Sequence, residues 1–125
     1  MKNIKTYSLN FMGTVYSVAP VIHHYINNDV LAIGLVDIET GEDFGLLTVN
    51  LVDEFLPSED CSYVDTNNLG QEICSFIEDN QLGVSVGYYG MSGYCVYPLY
   101  QFDVSKFNTE KDVIDFLNNG GEQDA

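Results

Sequence analysis

The sequence has no arginine and no tryptophan, and its only basic residues beside two histidines are Lys2, Lys5, Lys106 and Lys111. Against them stand nineteen aspartates and glutamates, for a net charge of −15 at pH 7. Proteins that hold nucleic acid neutralise phosphates with Lys and Arg, so this composition argues against direct nucleic-acid binding and against attraction to an anionic membrane. No apolar run approaches the roughly 18 residues of a membrane span. The N-terminal stretch "MKNIKTYSLN" lacks the apolar core of a signal peptide, and a cytoplasmic protein is expected. Cysteine is scarce as well. Cys61, Cys74 and Cys95 are odd in number and widely spaced, which suits reduced thiols rather than a disulfide framework.

The constellations of catalysis are also missing. A cysteine nucleophile needs a lowered pKa and a base within reach. His23 and His24 are adjacent on a β-prone run, so their rings should point to opposite faces, and the acidic field disfavours a thiolate. There is no C-x-x-C or H-x-x-x-H pair to suggest zinc. The turn "DIETGED", Asp37–Asp43, offers carboxylates, but Gly41 falls at position five of an EF-hand-like count, where a ligand belongs. Gly87-x-x-Gly90-x-x-Gly93 has neither the spacing nor the Lys-Ser/Thr of a phosphate loop. The expectation is a protein that is not an enzyme, with no cofactor and no metal site.

What is present is a core. Hydrophobic residues make up 46% of 125 residues, with seven Phe and nine Tyr. A chain of this length can bury about two-thirds of its unfolded surface without a staple. One domain is expected over residues 1–120, followed by a frayed acidic tail at 121–125. Ile4–Phe11 and Thr14–Ile22 read as a hairpin about Met12-Gly13, with Pro20 marking an edge or bulge. Val30–Ile38 is apolar on both faces and reads as a central strand. Phe44–Val52 reads as one half-buried strand, with Leu47, Val49 and Leu51 inward. After an acidic connection over Asp53–Cys61, Asn68 and Gln71 form a capping box, and Gly83 is placed at the end of the helix that carries Ile73, Phe76 and Ile77. Val84–Tyr89 and Tyr94–Asp103 read as a second hairpin about "GMSG". Thr109 starts a last helix that buries Val113, Ile114, Phe116 and Leu117 and stops at Gly120-Gly121. Strands precede helices without βαβ alternation. The fold class expected is α+β, an antiparallel sheet of about six strands with two helices packed on it.

Two features remain for function. The first is the carboxylates expected at the surface: Asp37, Glu39, Glu42 and Asp43; Asp53, Glu54, Glu59 and Asp60; and Glu72, Glu78, Asp79, Asp112 and Asp115 on outer helix faces. A charge of −15 exceeds the magnitude of about 2–8 that solubility asks of a small domain. The second is the tyrosines of the second hairpin: Tyr88, Tyr89, Tyr94, Tyr97 and Tyr100. Tyrosine in strands usually buries its ring, and is also enriched at interfaces.

Three stretches, "LLTVNL" (Leu46–Leu51), "SYVDTNN" (Ser62–Asn68) and "YGMSGYCVYPLYQFD" (Tyr89–Asp103), carry a resemblance. The sequence resembles a family of small uncharacterised proteins, grouped as a domain of unknown function and met on mobile elements of gut-type Firmicutes. The resemblance runs from the first hairpin to about Asp103 and brings no catalytic residues with it. It implies a mobile-element setting, where small acidic proteins often inhibit host defence nucleases.

Two functions are therefore expected as alternatives. One is a non-enzymatic inhibitor of a mobile element or phage, mimicking nucleic-acid charge to block a basic nucleic-acid-binding partner such as a restriction enzyme or CRISPR effector. A compact domain of this size is about 35 Å across, and that length of duplex carries about 20 phosphates. The other is an acidic scaffold or regulatory module that binds protein through the tyrosine-rich strand. Oligomeric state is left open.

Overall fold

Met12 and Gly13 both take positive φ, 52° and 84°, the backbone that a two-residue hairpin needs to match strand twist. They join β1 (Tyr7–Phe11) to β2 (Thr14–His24), with Phe11 paired to Thr14. The computed structural model describes residues 4–119. β1 begins at Tyr7, opposite Val18, so Pro20 lies beyond its reach on that side of β2, and its missing N–H costs no ladder bond. Asn108 fills that side: its N–H donates to Pro20 O at 2.9 Å and its carbonyl accepts from Ile22 N at 2.9 Å.

β3 (Leu31–Asp37) pairs with β2 and with β4 (Asp43–Leu46), completing a four-stranded antiparallel sheet in the order β1-β2-β3-β4. As its apolar composition predicts, β3 is buried from Leu31 to Leu35. One face of this sheet joins the main core through Leu9, Val18, Ile33 and Leu35. The other meets Val113 and Leu117 of the last helix through Ala19, Val21 and Ile38.

The single six-stranded sheet is corrected to two sheets of four. The run Phe44–Val52 is not one strand: it leaves the first sheet at Leu46 and enters the second as β5 (Thr48–Val49). Leu47 is the corner, fully buried, with its N–H on Ile33 O at 2.8 Å and its carbonyl accepting from Asp65 N at 2.9 Å. The second sheet is antiparallel, in the order β5, β6 (Cys61–Val64), β8 (Cys95–Phe102), β7 (Gly83–Ser92). Two buried hydroxyls stitch the sheets together. Thr48 Oγ1 accepts from Ile33 N at 3.1 Å, and Ser62 Oγ donates to Leu31 O at 2.8 Å. Thr48 thus faces inward, against the expected alternation.

Among the described residues there are three α-helices, not two. Asp65, rather than Asn68, caps α1 (Thr66–Leu69) by accepting from Asn68 N at 3.1 Å. After Gly70 the chain restarts as α2 (Glu72–Asp79), burying Ile73, Phe76 and Ile77 as expected. Gln81, not Gly83, takes the left-handed conformation that ends it, with φ 58°. Gly83 instead begins β7. The tip of the second hairpin is Gly93-Tyr94, between the paired Ser92 and Cys95, rather than "GMSG". A 3₁₀ turn at Val104–Lys106 leads to α3 (Glu110–Asn118), capped as predicted by Thr109 Oγ1 on Asp112 N at 3.1 Å. Val113 is buried and Phe116 and Leu117 half-buried, but Ile114 is exposed. The Gly120-Gly121 stop and the tail at 121–125 lie outside the described residues. Among those described, no helix is long and apolar enough to cross a membrane.

Candidate functional site

Exposed carboxylates with no cation beside them are the first unusual feature of the surface. Lys111 and Asp115 form an ion pair at 2.8 Å across one helical turn. Among the described residues, none of the carboxylates from Asp37 to Asp79 meets a lysine at such a distance. The acidic residues fall into separate groups rather than one array. The turn from β3 to β4 carries Asp37, Glu39, Glu42 and Asp43; Gly41 there lies against Leu117, which sets the turn beside α3 with Asp112 and Asp115. Asp37 and Asp43 also brace the turn, accepting from Glu39 N at 2.9 Å and Gly45 N at 3.2 Å. Asp37, Asp112 and Asp115 are half-buried, while Glu39, Glu42 and Asp43 are exposed.

The connection from Leu51 to Asp60 carries the second group, Asp53, Glu54, Glu59 and Asp60. It lies over the second sheet because Leu51 and Leu56 pack on Tyr63, Tyr97 and Leu99, and Tyr63 donates its hydroxyl to Phe55 O. Asp53 and Glu59 are exposed, Glu54 and Asp60 half-buried. Asp60 accepts from Ser58 Oγ at 2.5 Å and from Gln101 Nε2 at 3.3 Å, and these bonds hold its carboxyl below the ordinary range. On α2, Glu72 and Asp79 face a hollow with Ser8 and Asn10, whereas Glu78 faces a separate groove. Glu78, Asp60 and Asp103 line this groove of about 800 Å³, floored by Gly83, Val84 and Gln101. Asp103 is held low by Ser105, whose hydroxyl donates at 2.6 Å. The sequence reading missed Asp103 as a partner of that groove.

Tyrosine roles divide sharply. Tyr94, at the hairpin tip, is fully exposed, and Tyr88 and Tyr89 are 39% and 59% exposed. Tyr97 and Tyr100 are core residues, 7% and 3% exposed, and their assignment to an interface is corrected: the Leu51–Asp60 connection covers one, and the main core covers the other. Tyr100 donates its hydroxyl to Glu78 Oε2 at 2.5 Å. Burial, then the Glu78 bond, raises its pKa, and burial followed by the Glu54 charge pushes Tyr63 up to about 12. The sign follows. A phenol whose folded pKa lies above its unfolded value of 10 stabilises the fold fully below pH 10, and that contribution is lost as pH rises toward 12. We therefore expect cooperative unfolding between pH 10 and 12, followed by circular dichroism, with tyrosinate absorbance rising at the same midpoint. Complete tyrosine ionisation with the fold intact would contradict burial of Tyr63 and Tyr100.

Other hollows offer less chemistry. One of about 300 Å³ brings His24, Asp29, Glu59 and Cys61 to one place, a meeting the sequence did not suggest. Cys61 is 2% exposed, and its thiol lies 3.3 Å from Ser58 Oγ. All three cysteines are free; Cys61 is buried, and Cys74 and Cys95 are half-buried against the core. Another hollow, about 640 Å³ between the sheets, is lined by Phe11, Tyr16, Phe44 and Asp65. Asp65, the one buried carboxylate of the described chain, spends both oxygens on Asn68. Among the described residues no three His, Cys, Asp or Glu side chains stand together as metal ligands.

Sequence reasoning also overlooked an apolar surface. β7 is an edge strand, and Val84, Val86, Met91 and, from β8, Val96 are exposed along it. The signal was readable: from Gly83 to Phe102 the chain has no charged residue, within a protein of net charge −15.

A family match covers residues 21–119, beginning within β2 of the first hairpin and running past Asp103 through α3. No curated protein and no solved structure matches the chain. The chain belongs to the family described as Domain of unknown function (DUF4313).

Proposed function

We propose that the protein is a non-enzymatic inhibitor, carried by a mobile element or phage, that occupies the basic channel of a nucleic-acid-binding defence protein such as a restriction enzyme or CRISPR effector. The observation that carries this reading is the set of exposed carboxylates from Glu39 to Asp79 that have no cationic partner among the described residues. A surface of that kind repels itself and costs stability, and a basic partner relieves it. Because the carboxylates are in separate groups, a channel engages one or two of them in place of phosphates, not all at once. Each exposed charge is worth at most about 1 kcal/mol, so capture depends on many together.

The test is competition. A purified basic effector of this type should bind the protein and lose its DNA or guide RNA in proportion. Reversal of Glu39, Glu42 and Asp43 to Lys together should weaken capture, while single reversals change it little. Binding that leaves nucleic acid in place would contradict the mimic.

A further inference from the structure

We propose that β7 is a docking edge for an extended segment of a basic partner, which adds to the second sheet as another strand. The proposal takes the partner's charge from the acidic-capture reading, and its shape from the strand itself. Natural edge strands are blunted by charge, proline or a covering element. β7 runs ten residues without a charge or a proline, and Val84, Tyr89 and Met91 are 63%, 59% and 60% exposed. Met91 pairs with Val96 and Tyr89 with Pro98, so Tyr89, Met91 and Val96 stand on one face as a contiguous apolar strip.

Part of the outward backbone is already engaged, and an incoming strand displaces the Glu54 carboxylate from it. Gly90 and Ser92 belong to the side that pairs with β8, and the Met91 N–H, pointing away from it, is met by Glu54 Oε2 at 3.3 Å. A bulge over Val86–Tyr88 divides the edge into Gly83–Ser85 and Tyr89–Ser92. That break suits a short segment and opposes indefinite sheet growth.

The ends of the strand choose the occupant. Glu54 stands at the Met91 end, and Asp60, Glu78 and Asp103 line the groove at the Gly83 end. A second copy paired antiparallel about a two-fold axis would set Glu54 of each chain toward the three carboxylates of the other. Like charges so placed oppose self-pairing. A segment with Lys or Arg at both ends and alternating apolar residues between them meets every feature: carboxylates at each end, main-chain partners along the edge, and the apolar strip beneath.

The probes are three peptides: Lys-Lys-Thr-Val-Thr-Val-Thr-Lys-Lys, the same with both valines replaced by proline, and the same with all lysines replaced by glutamate. Fluorescence anisotropy should show the first binding about tenfold tighter than its proline counterpart of equal charge, and the glutamate peptide not binding. Tyr89→Pro, which removes an outward donor, and Tyr89→Lys, which adds a cation to the edge, should each abolish that preference while retaining the far-UV spectrum. Equal binding of the valine and proline peptides would overturn the docking edge and leave charge capture standing. So would a preference that survives both Tyr89 variants, absence of binding by the first peptide, or a dimer in sedimentation that Tyr89→Pro dissolves. Loss of competition with nucleic acid by the whole protein, by contrast, bears on the acidic reading alone.

Discussion

Tyr100→Ala is expected to cost about 3–5 kcal/mol, the usual loss for a large buried aromatic cut to alanine. Its ring lies in the main core with Phe102 and Ile77 and is 3% exposed, and truncation also strips Glu78 of the hydroxyl it accepts from. Domains of this kind have about 5–15 kcal/mol in total, so the variant should be close to unfolding at ordinary temperature. Tyr100→Phe keeps the ring and should lose only about 1 kcal/mol for the hydrogen bond. Tyr94→Ala, at the exposed hairpin tip, should stay within about 0.5 kcal/mol of the parent. Urea unfolding of the four proteins at a common slope measures all of this. A Tyr100→Ala protein as stable as Tyr94→Ala would return Tyr100 to the surface and undo the assignment of the core.

Gly90→Ala is expected to destabilise by about 1–3 kcal/mol, though it adds a single methyl to a strand. Gly90 is buried in β7 and its φ is ordinary, so backbone strain is not the cause. A Cβ there would stand 2.7 Å from Tyr63 Cε1 and 2.8 Å from Leu51 Cδ1. Tyr63 is 1% exposed and held by its bond to Phe55 O, so its ring cannot swing aside cheaply. The same change at Gly13, whose φ is 84° with open space around it, acts through the backbone instead. The two mechanisms separate in a double variant with Tyr63→Leu. The smaller side chain should relieve much of the Gly90→Ala cost and none of the Gly13→Ala cost. Equal costs in both backgrounds would contradict a steric origin at Gly90.

Where a local signal decides the conformation, the sequence was enough. Met12-Gly13 can hardly be anything but a tight turn, Thr109 caps α3 as its spacing implies, and the doubly apolar β3 is buried on both faces. The failures lie where a choice is made by contacts far along the chain. Nothing within Phe44–Val52 marks Leu47 as a corner between sheets, because the bonds that place it come from Ile33 and Asp65. Asp65 and Asn68 are both competent caps, and which of them serves depends on β6 ending at Val64. Tyr97 and Tyr100 alternate in a strand as any exposed pair could. Their burial is decided by the Leu51–Asp60 connection on one face and the main core on the other. The acidic excess was legible in composition alone, but its division into groups needed the fold. The joining of Asp60, Glu78 and Asp103 in one groove joins residues from three separate segments.

Charge capture is the central claim, and its dependence on salt is its most direct measure. The association constant with a purified basic nucleic-acid-binding defence protein should be followed from about 50 mM to about 500 mM NaCl, a range over which screening of exposed charges becomes strong. For the parent protein the logarithm of the constant should fall steeply and linearly with the logarithm of salt. For the protein with Glu39, Glu42 and Asp43 reversed to Lys the line should start lower and be shallower. A constant that barely moves with salt and is the same for both proteins would contradict the account.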